Sequence, residues 1–376
     1  MEKRIRVLHI FGQMSYGGAE IRTIELMKSL DRDNYQFDFC TLSGKQGELD
    51  DTIRNLGGEI LPCNYRSVNF PFKFKQLLRN NNYDVVHSHV HTFSGLILKL
   101  AKSENVNKRI AHFRSSEDNM DYSIKKRLQR SIMINWIKKY ATDIISVNKG
   151  SLNSVFGHNW EKDSRFRVIY NGIDTTNFST HTIDDSNELR RRYNISDNTK
   201  LITHVGRFVE AKNHIKILTV FKKFLEYEPN TLLMLVGKGS NEIEGKCKRM
   251  AKELKIDDKI IFVGVSDDIP NILLSSDLLI FPSIWEGLPG VVLEACAAKL
   301  PVLASDLDGI REVEQYFPEL IHCLPVELSD ELWAKKAFYI LNSKQKSNRF
   351  NMSFENSIFT IHKNLESLYN IYGDKL

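Results

Sequence analysis

The chain has 376 residues, of which 42% are hydrophobic and 26% charged, and its formal net charge is +5. That length suits two domains, and that composition suits a globular protein with two apolar cores. The mild positive charge falls well short of a dedicated nucleic-acid binder, and no run approaches the ~18 apolar residues of a membrane span.

The first predicted element is the strand "RIRVLHIF". Its short apolar stretch is too brief for the core of a signal peptide. The turn "FGQMSYGGAE" follows, with Gly17 and Gly18 ahead of a helix starting near Ala19, "GAEIRTIELMKSL". A glycine-rich turn lets backbone N–H groups approach a ligand, and a helix N-terminus favours an anion. The spacing is not GxGxxG, so no dinucleotide fingerprint is present and a dehydrogenase is disfavoured. Strands "YQFDFCTL", "DVVHSHV", "KRIAHFR" and "DIISVN" come next, separated by helical stretches such as "FSGLILKLAK". His87, His89 and His91 alternate and would share one face of a strand, as metal ligands would, but the run straddles the strand's end. No metal site is expected. His112 falls at a strand's C-terminal edge, where ligands of open parallel sheets bind.

The stretch from Asp121 to Ala141 predicts a basic amphipathic helix. It carries Lys125, Lys126, Arg127, Arg130, Lys138 and Lys139, with Ile124, Leu128, Ile132 and Trp136 at spacings of four. It suits either an anionic membrane surface or a helix packed on its own domain with a solvated basic face.

Residues 173–198 are polar and irregular and read as a linker. The strand-then-helix grammar restarts with "TKLITHVGRF" and "HIKILTVFKKFLEY", then "TLLMLVG", "KIIFVG", "LLIFPS" and "PVLAS". In "HVGRFVEAKNH", Arg207 and Lys212 follow a strand, a planar fork and a point charge suited to a diphosphate, though two solvated cations would read the same. In "SIWEGLPGVVLEACAAKLPVLAS", Glu286 precedes a tight turn and Glu294 lies on a helix predicted over Val291–Ala298. Eight residues of helix would span about 12 Å. Paired glycosidase carboxylates stand about 5–9.5 Å apart. Two contacts offset along one elongated ligand are therefore favoured over an acid/base pair. Asp306 and Asp308 form a D-x-D pattern that reads as a turn. Residues 353–376 read as one long amphipathic helix with a stripe at Ile358, Ile361, Leu365, Leu368 and Tyr372. The five cysteines, Cys40, Cys63, Cys247, Cys296 and Cys323, are scattered without CxxC spacing. Reduced thiols fit better than a disulfide framework.

Together these motifs, with "VIYNGID" and "WEGLPGVVLEA", resemble the retaining nucleotide-sugar glycosyltransferases of family four, and most closely the bacterial enzymes of exopolysaccharide, capsule or O-antigen assembly. The resemblance implies an α/β GT-B fold: two doubly wound Rossmann-like domains facing across a cleft, with a C-terminal helix crossing back. The expected bounds are 1–178 for an acceptor-binding domain, 179–354 for a donor-binding domain and 355–376 for the returning helix. It implies a hexosyl transfer from a nucleoside-diphosphate sugar, with UDP-sugar the leading class, to a lipid-linked or glycan acceptor. The donor is a co-substrate, and neither a cofactor nor a metal is required.

Residue by residue, the resemblance places His112, Glu286, Arg207 and Lys212 in the catalytic set. It gives Arg207 and Lys212 the diphosphate, Glu294 the ribose and Glu286 the donor sugar. The backbone of Gly287, Leu288, Pro289, Gly290 and Val291 would serve the sugar and phosphates, Gly17 and Gly18 the diphosphate, and the backbone of Val265 the base. Two features depart from the family pattern: Arg114, where a smaller polar residue is expected, and "GLPG" in place of "GFG". The localisation implied is cytoplasmic, with the 121–141 helix a candidate contact to the inner membrane face. A nucleotide-sugar epimerase and a non-catalytic partner of a transferase are the competing readings.

Overall fold

The computed structural model describes residues 4–115, 123–180, 183–343 and 354–373. The chain forms two compact units, residues 1–172 with 361–376, and residues 173–360. The change from one to the other thus falls six residues before the expected 178.

Among the described residues the first unit holds seven strands: β1 (Ile5–Phe11), β2 (Tyr35–Thr41), β3 (Ile60–Pro62), β4 (Val85–Ser88), β5 (Lys108–Phe113), β6 (Asp143–Ser146) and β7 (Phe166–Val168). All pair in parallel, in the order β3-β2-β1-β4-β5-β6-β7. Every second residue turns to the same face, so each strand supplies both cores. Leu8, Ile10, Val86 and Ala111 pack on one side with the helices Phe70–Asn81 and Ser94–Ser103. Val7, Phe11, Val85, Ile110 and Ile145 pack on the other, against the helix Ile361–Tyr372. That returning helix buries Ile361, Leu365, Leu368, Ile371 and Tyr372. Each such side chain stabilises by about 1.5–3 kcal/mol relative to exposure, so the helix is an integral wall of the unit.

The second unit holds β8 (Lys200–Val205), β9 (Thr231–Val236), β10 (Ile260–Gly264), β11 (Leu278–Phe281), β12 (Val302–Ser305) and β13 (Ile321–Leu324). These too are parallel, in the order β10-β9-β8-β11-β12-β13. In each unit the strand order reverses beside the unit's first strand, between β1 and β4 and between β8 and β11. That is the doubly wound order, with a crevice at the reversal.

Three expectations need correction. Residues 173–198 are not an irregular linker: they contain the helices Thr176–Ser179 and Ile183–Arg192, and Leu189 and Ile195 join the core beside Leu201, Met234 and Ile272. The helix is so polar that Leu189 gives no visible periodicity, and Ile195 lies beyond its end. The C-terminal helix does not begin at 353: a 3₁₀ turn covers Phe354–Asn356, and the α-helix starts at Ile361. Before it, Ile173 N–H bonds to Phe359 C=O at 2.8 Å and Ile173 pairs with Thr360, so the two ends of the second unit lie side by side. The basic helix runs over Ile124–Tyr140, and Asp121 lies outside the described residues.

Candidate functional site

In the second unit the residues singled out by sequence gather at the C-terminal edge of one sheet. Gly206 and Arg207 leave β8, a 3₁₀ turn carries Lys212, and Asn213 takes a left-handed φ of 51° before the helix His214–Phe224. From β11, Glu286 sits in the loop and Glu294 on the helix Gly290–Ala297, which begins one residue earlier than expected. Two bonds lace these loops across the switch point. Ile284 N–H donates to Ala211 C=O at 2.8 Å, and the Lys212 ammonium pairs with Glu286 Oε1. The ammonium also lies 4.6 Å from the centre of the Phe281 ring. Both side chains of the pair are largely covered, whereas Arg207 is exposed.

Two glycines that the sequence reading passed over make this edge possible. Gly237 has φ +136°, and a Cβ there would stand 2.2 Å from Gly206 O. At Gly239 a Cβ would stand 2.2 Å from Phe208 O. The loops after β8 and β9 thus pack backbone on backbone, which only glycine permits. The available signal was the "GKG" directly after a buried strand. Val265 follows Gly264, whose φ is +79°, and is half exposed. Asp306 is held by Arg311 at 2.5 Å and Asp308 opens a helix, so the D-x-D pair serves chain reversal.

The first unit carries Gly17, Gly18 and His112. Gly17 is the extended N-cap of the helix Gly18–Lys28, and no side chain caps it. His112, at the end of β5, is 3% exposed. It is one of four clustered imidazoles, because period two puts His9, His87 and His112 on the face that the returning helix covers. His91 leaves the group: β4 ends at Ser88, and His91 turns into a 3₁₀ segment with φ 48°. His9, which the sequence reading missed, takes its place by strand register opposite His87.

The imidazoles form two hydrogen-bonded chains. Arg114 Nε–H donates to His89 Nδ1 at 3.3 Å, and His89 Nε2 lies 3.0 Å from His9 Nδ1. Tyr372 OH lies 2.7 Å from His87 Nδ1, and His87 Nε2 lies 3.0 Å from His112 Nδ1. Burial first, then the Arg114 guanidinium, pushes His9 down to about 3. Burial first also drives His87, His89 and His112 well below the ordinary histidine range. All four are neutral at pH 7. Arg114 is itself pulled down to about 10 by desolvation, and Asn171 and Thr23 accept from its other nitrogens.

Ring nitrogens of His9, His87 and His89 lie within 4.8 Å of one another, a spacing a metal ion could use. Their lone pairs are engaged otherwise. His89 Nδ1 accepts from a guanidinium, which has only donors, so His89 carries its proton on Nε2 and His9 Nδ1 accepts it. In this arrangement the group does not fit a metal centre.

Two doubly wound Rossmann-like sheets in one chain are the GT-B architecture. The chain belongs to glycosyltransferase family 4: the family described as Glycosyltransferase Family 4 matches residues 16–177, and that described as Glycosyl transferases group 1 matches residues 185–353. It is 32% identical over 374 residues to the capsular polysaccharide biosynthesis glycosyltransferase CapH of Staphylococcus aureus, covering 99% of each chain. It is 24% identical to the UDP-Gal:alpha-D-GlcNAc-diphosphoundecaprenol alpha-1,3-galactosyltransferase of Escherichia coli, over 81% of this chain and 80% of that one. HepE from Anabaena, solved with UDP and glucose, shares the fold with a TM-score of 0.80 at 17% identity, over 98% of this chain and 99% of that chain.

Proposed function

We propose that the enzyme transfers a sugar, with retention at the anomeric carbon, from a UDP-sugar to a lipid-linked or glycan acceptor in the synthesis of a bacterial surface polysaccharide. The observation that supports this reading is the laced edge of the second sheet, where Lys212 pairs with Glu286 and Ile284 N–H bonds to Ala211 C=O between the loops after β8 and β11. The names of CapH and of the Escherichia coli relative supply the polysaccharide setting and the lipid diphosphate class of acceptor, and HepE supplies the UDP.

The departing diphosphate gathers negative charge, and Arg207 and Lys212 are the cations placed to offset it. Lys212 meets the donor from its pair with Glu286, so Glu286 reaches the sugar side as the lysine turns to phosphate. Glu294 takes the ribose, the backbone of Gly287 to Val291 the phosphates and sugar, and Val265 the base. The first unit supplies the acceptor side and His112. Fixed cations do the work that a metal does elsewhere, and the reaction proceeds in a chelator. The helix Ile124–Tyr140 adds contact with an anionic bilayer: Ile124 is 84% and Leu128 63% exposed among its cations. Among the described residues no helix is long and apolar enough to cross a membrane.

The test is nucleoside-diphosphate release from UDP-, GDP- and ADP-sugars, with and without a bacterial lipid extract. Extract-dependent UDP release is expected. NDP formed without any acceptor would favour an epimerase, and donor binding without turnover on any extract would favour a non-catalytic partner.

A further inference from the structure

We infer that Tyr372, on the returning helix, fixes the tautomer of His112 through His87, so that His112 presents an N–H donor at Nε2. Tyr372 and His87 are then positioning residues for a group that acts on the ligand. This rests on the proposed place of His112 in the transfer site.

The argument is a count of buried hydrogen-bonding groups. Tyr372 is 4% exposed, His87 1% and His112 3%. The phenol meets His87 Nδ1 at 2.7 Å, and His87 Nε2 meets His112 Nδ1 at 3.0 Å. Two proton arrangements satisfy those contacts. In the first, Tyr372 O–H donates to His87 Nδ1, His87 Nε2–H donates to His112 Nδ1, and His112 carries its proton on Nε2. In the second every bond is reversed. The phenol then accepts, its own proton has no acceptor among the described residues, and His112 Nε2 is left as a bare acceptor as well. The first arrangement leaves one buried group without a protein partner, His112 Nε2–H, and the second leaves two; each costs about 1–3 kcal/mol, so the first arrangement wins.

Two observations agree with it. Burial raises the Tyr372 phenol above its ordinary range, so its proton stays in place. The neighbouring chain, begun by the guanidinium of Arg114, is forced into the same sense: Arg114 to His89 to His9, again ending on an Nε2–H. In both chains the last nitrogen, Nε2 of His9 and of His112, is buried and has no hydrogen-bond partner among the described residues. A ligand oxygen, such as a sugar hydroxyl, is the partner His112 Nε2–H suits. As a neutral donor with its lone pair occupied, His112 does not serve as the base that deprotonates an acceptor.

The test is the multiple-bond ¹H–¹⁵N spectrum of the full-length protein labelled with ¹⁵N-histidine, at pH 7.5. His87 and His112 are assigned by the signals lost in His87→Gln and His112→Gln. The wild type should show both as single Nε2–H tautomers. Tyr372→Phe keeps the ring and removes the hydroxyl, and a second tautomer should appear at His87 and His112. Tyr369→Phe is the control. It lies on the same helix, stacks on Tyr35 at 4.3 Å and accepts from Asp31 N–H at 3.0 Å, so it should leave both tautomers unchanged whatever it does to the melting temperature. An Nδ1–H at His112 in the wild type, or unchanged tautomers in Tyr372→Phe, would overturn the inference. If Tyr372→Phe does not fold, the wild-type spectrum alone decides. The two readings fail separately. His112→Ala with undiminished transfer removes His112 from the site and leaves the relay standing. An Nδ1–H at His112 removes the relay and leaves the site standing.

Discussion

Lys212 and Glu286 are paired with each other in the free chain, and that pairing shapes what their removal does. Lys212→Ala deletes a phosphate partner and removes the ammonium that faces the Glu286 carboxylate. UDP affinity by calorimetry should fall at least about tenfold, the worth of one charge-assisted bond. Glu286→Ala frees the lysine for phosphate, so affinity should hold while turnover drops by about a hundredfold. Near-normal transfer by Lys212→Ala would sink the diphosphate assignment. The positions of these four charged residues in the chain were legible in the sequence, because Arg207, Lys212 and Glu286 lie in loops after recognisable strands and Glu294 on the helix that follows. Their mutual pairing was not, because it depends on how far two loops lean together. His9 was invisible for a related reason. Nothing within "RIRVLHIF" marks it, and only the register of β1 on β4 sets it opposite His87. His91 falls out of the alternation because β4 stops at Ser88, in keeping with a run that straddles the strand's end.

At the level of elements, the sheets read well from the sequence in their centres and poorly at their edges. Strands β3, β7 and β13 have three, three and four residues and were not anticipated. An edge strand that short has too few residues to show a run of apolar side chains, and its identity comes from the neighbour it pairs with. The loops are where close contact is least forgiving. Gly237→Ala would force a left-handed φ on alanine and push its Cβ into Gly206 O. A loss of about 2–4 kcal/mol in the stability of the second unit, read by urea denaturation, is expected. The helix Ile124–Tyr140 makes a separate claim. Of its apolar residues only Ile137 is fully buried, and Ile124, Leu128 and Ile132 stand in solvent. Leu128→Glu should leave the fold unaltered and reduce co-sedimentation with phosphatidylglycerol vesicles several-fold. Equal binding by both proteins would return this helix to an ordinary solvated face.

Across the whole molecule, neutral buried histidines couple stability to pH. His9 in the first unit is held at about 3 and His214 in the second at about 4, each chiefly by burial, against an ordinary 6.5. Between those values and 6.5 the unfolded chain binds the extra protons, so stability rises with pH through that window and is lost as pH falls. Each group contributes up to about 1.4 kcal/mol per pH unit. Calorimetric scans from pH 7.5 down to 5 should show the melting of both units shift to lower temperature, and a flat profile would contradict the burial of these rings. The course of the chain has a further consequence. The second unit begins and ends on neighbouring residues, Ile173 and Phe359, while the first unit is closed only by the helix that follows. On the ribosome, the half that begins first is therefore completed last. Its β-sheet must wait, with the face around His9 and His87 uncovered, while the intervening unit is synthesised and can already fold. A nascent-chain chaperone would find its binding site there, on the early half, until Tyr372 arrives.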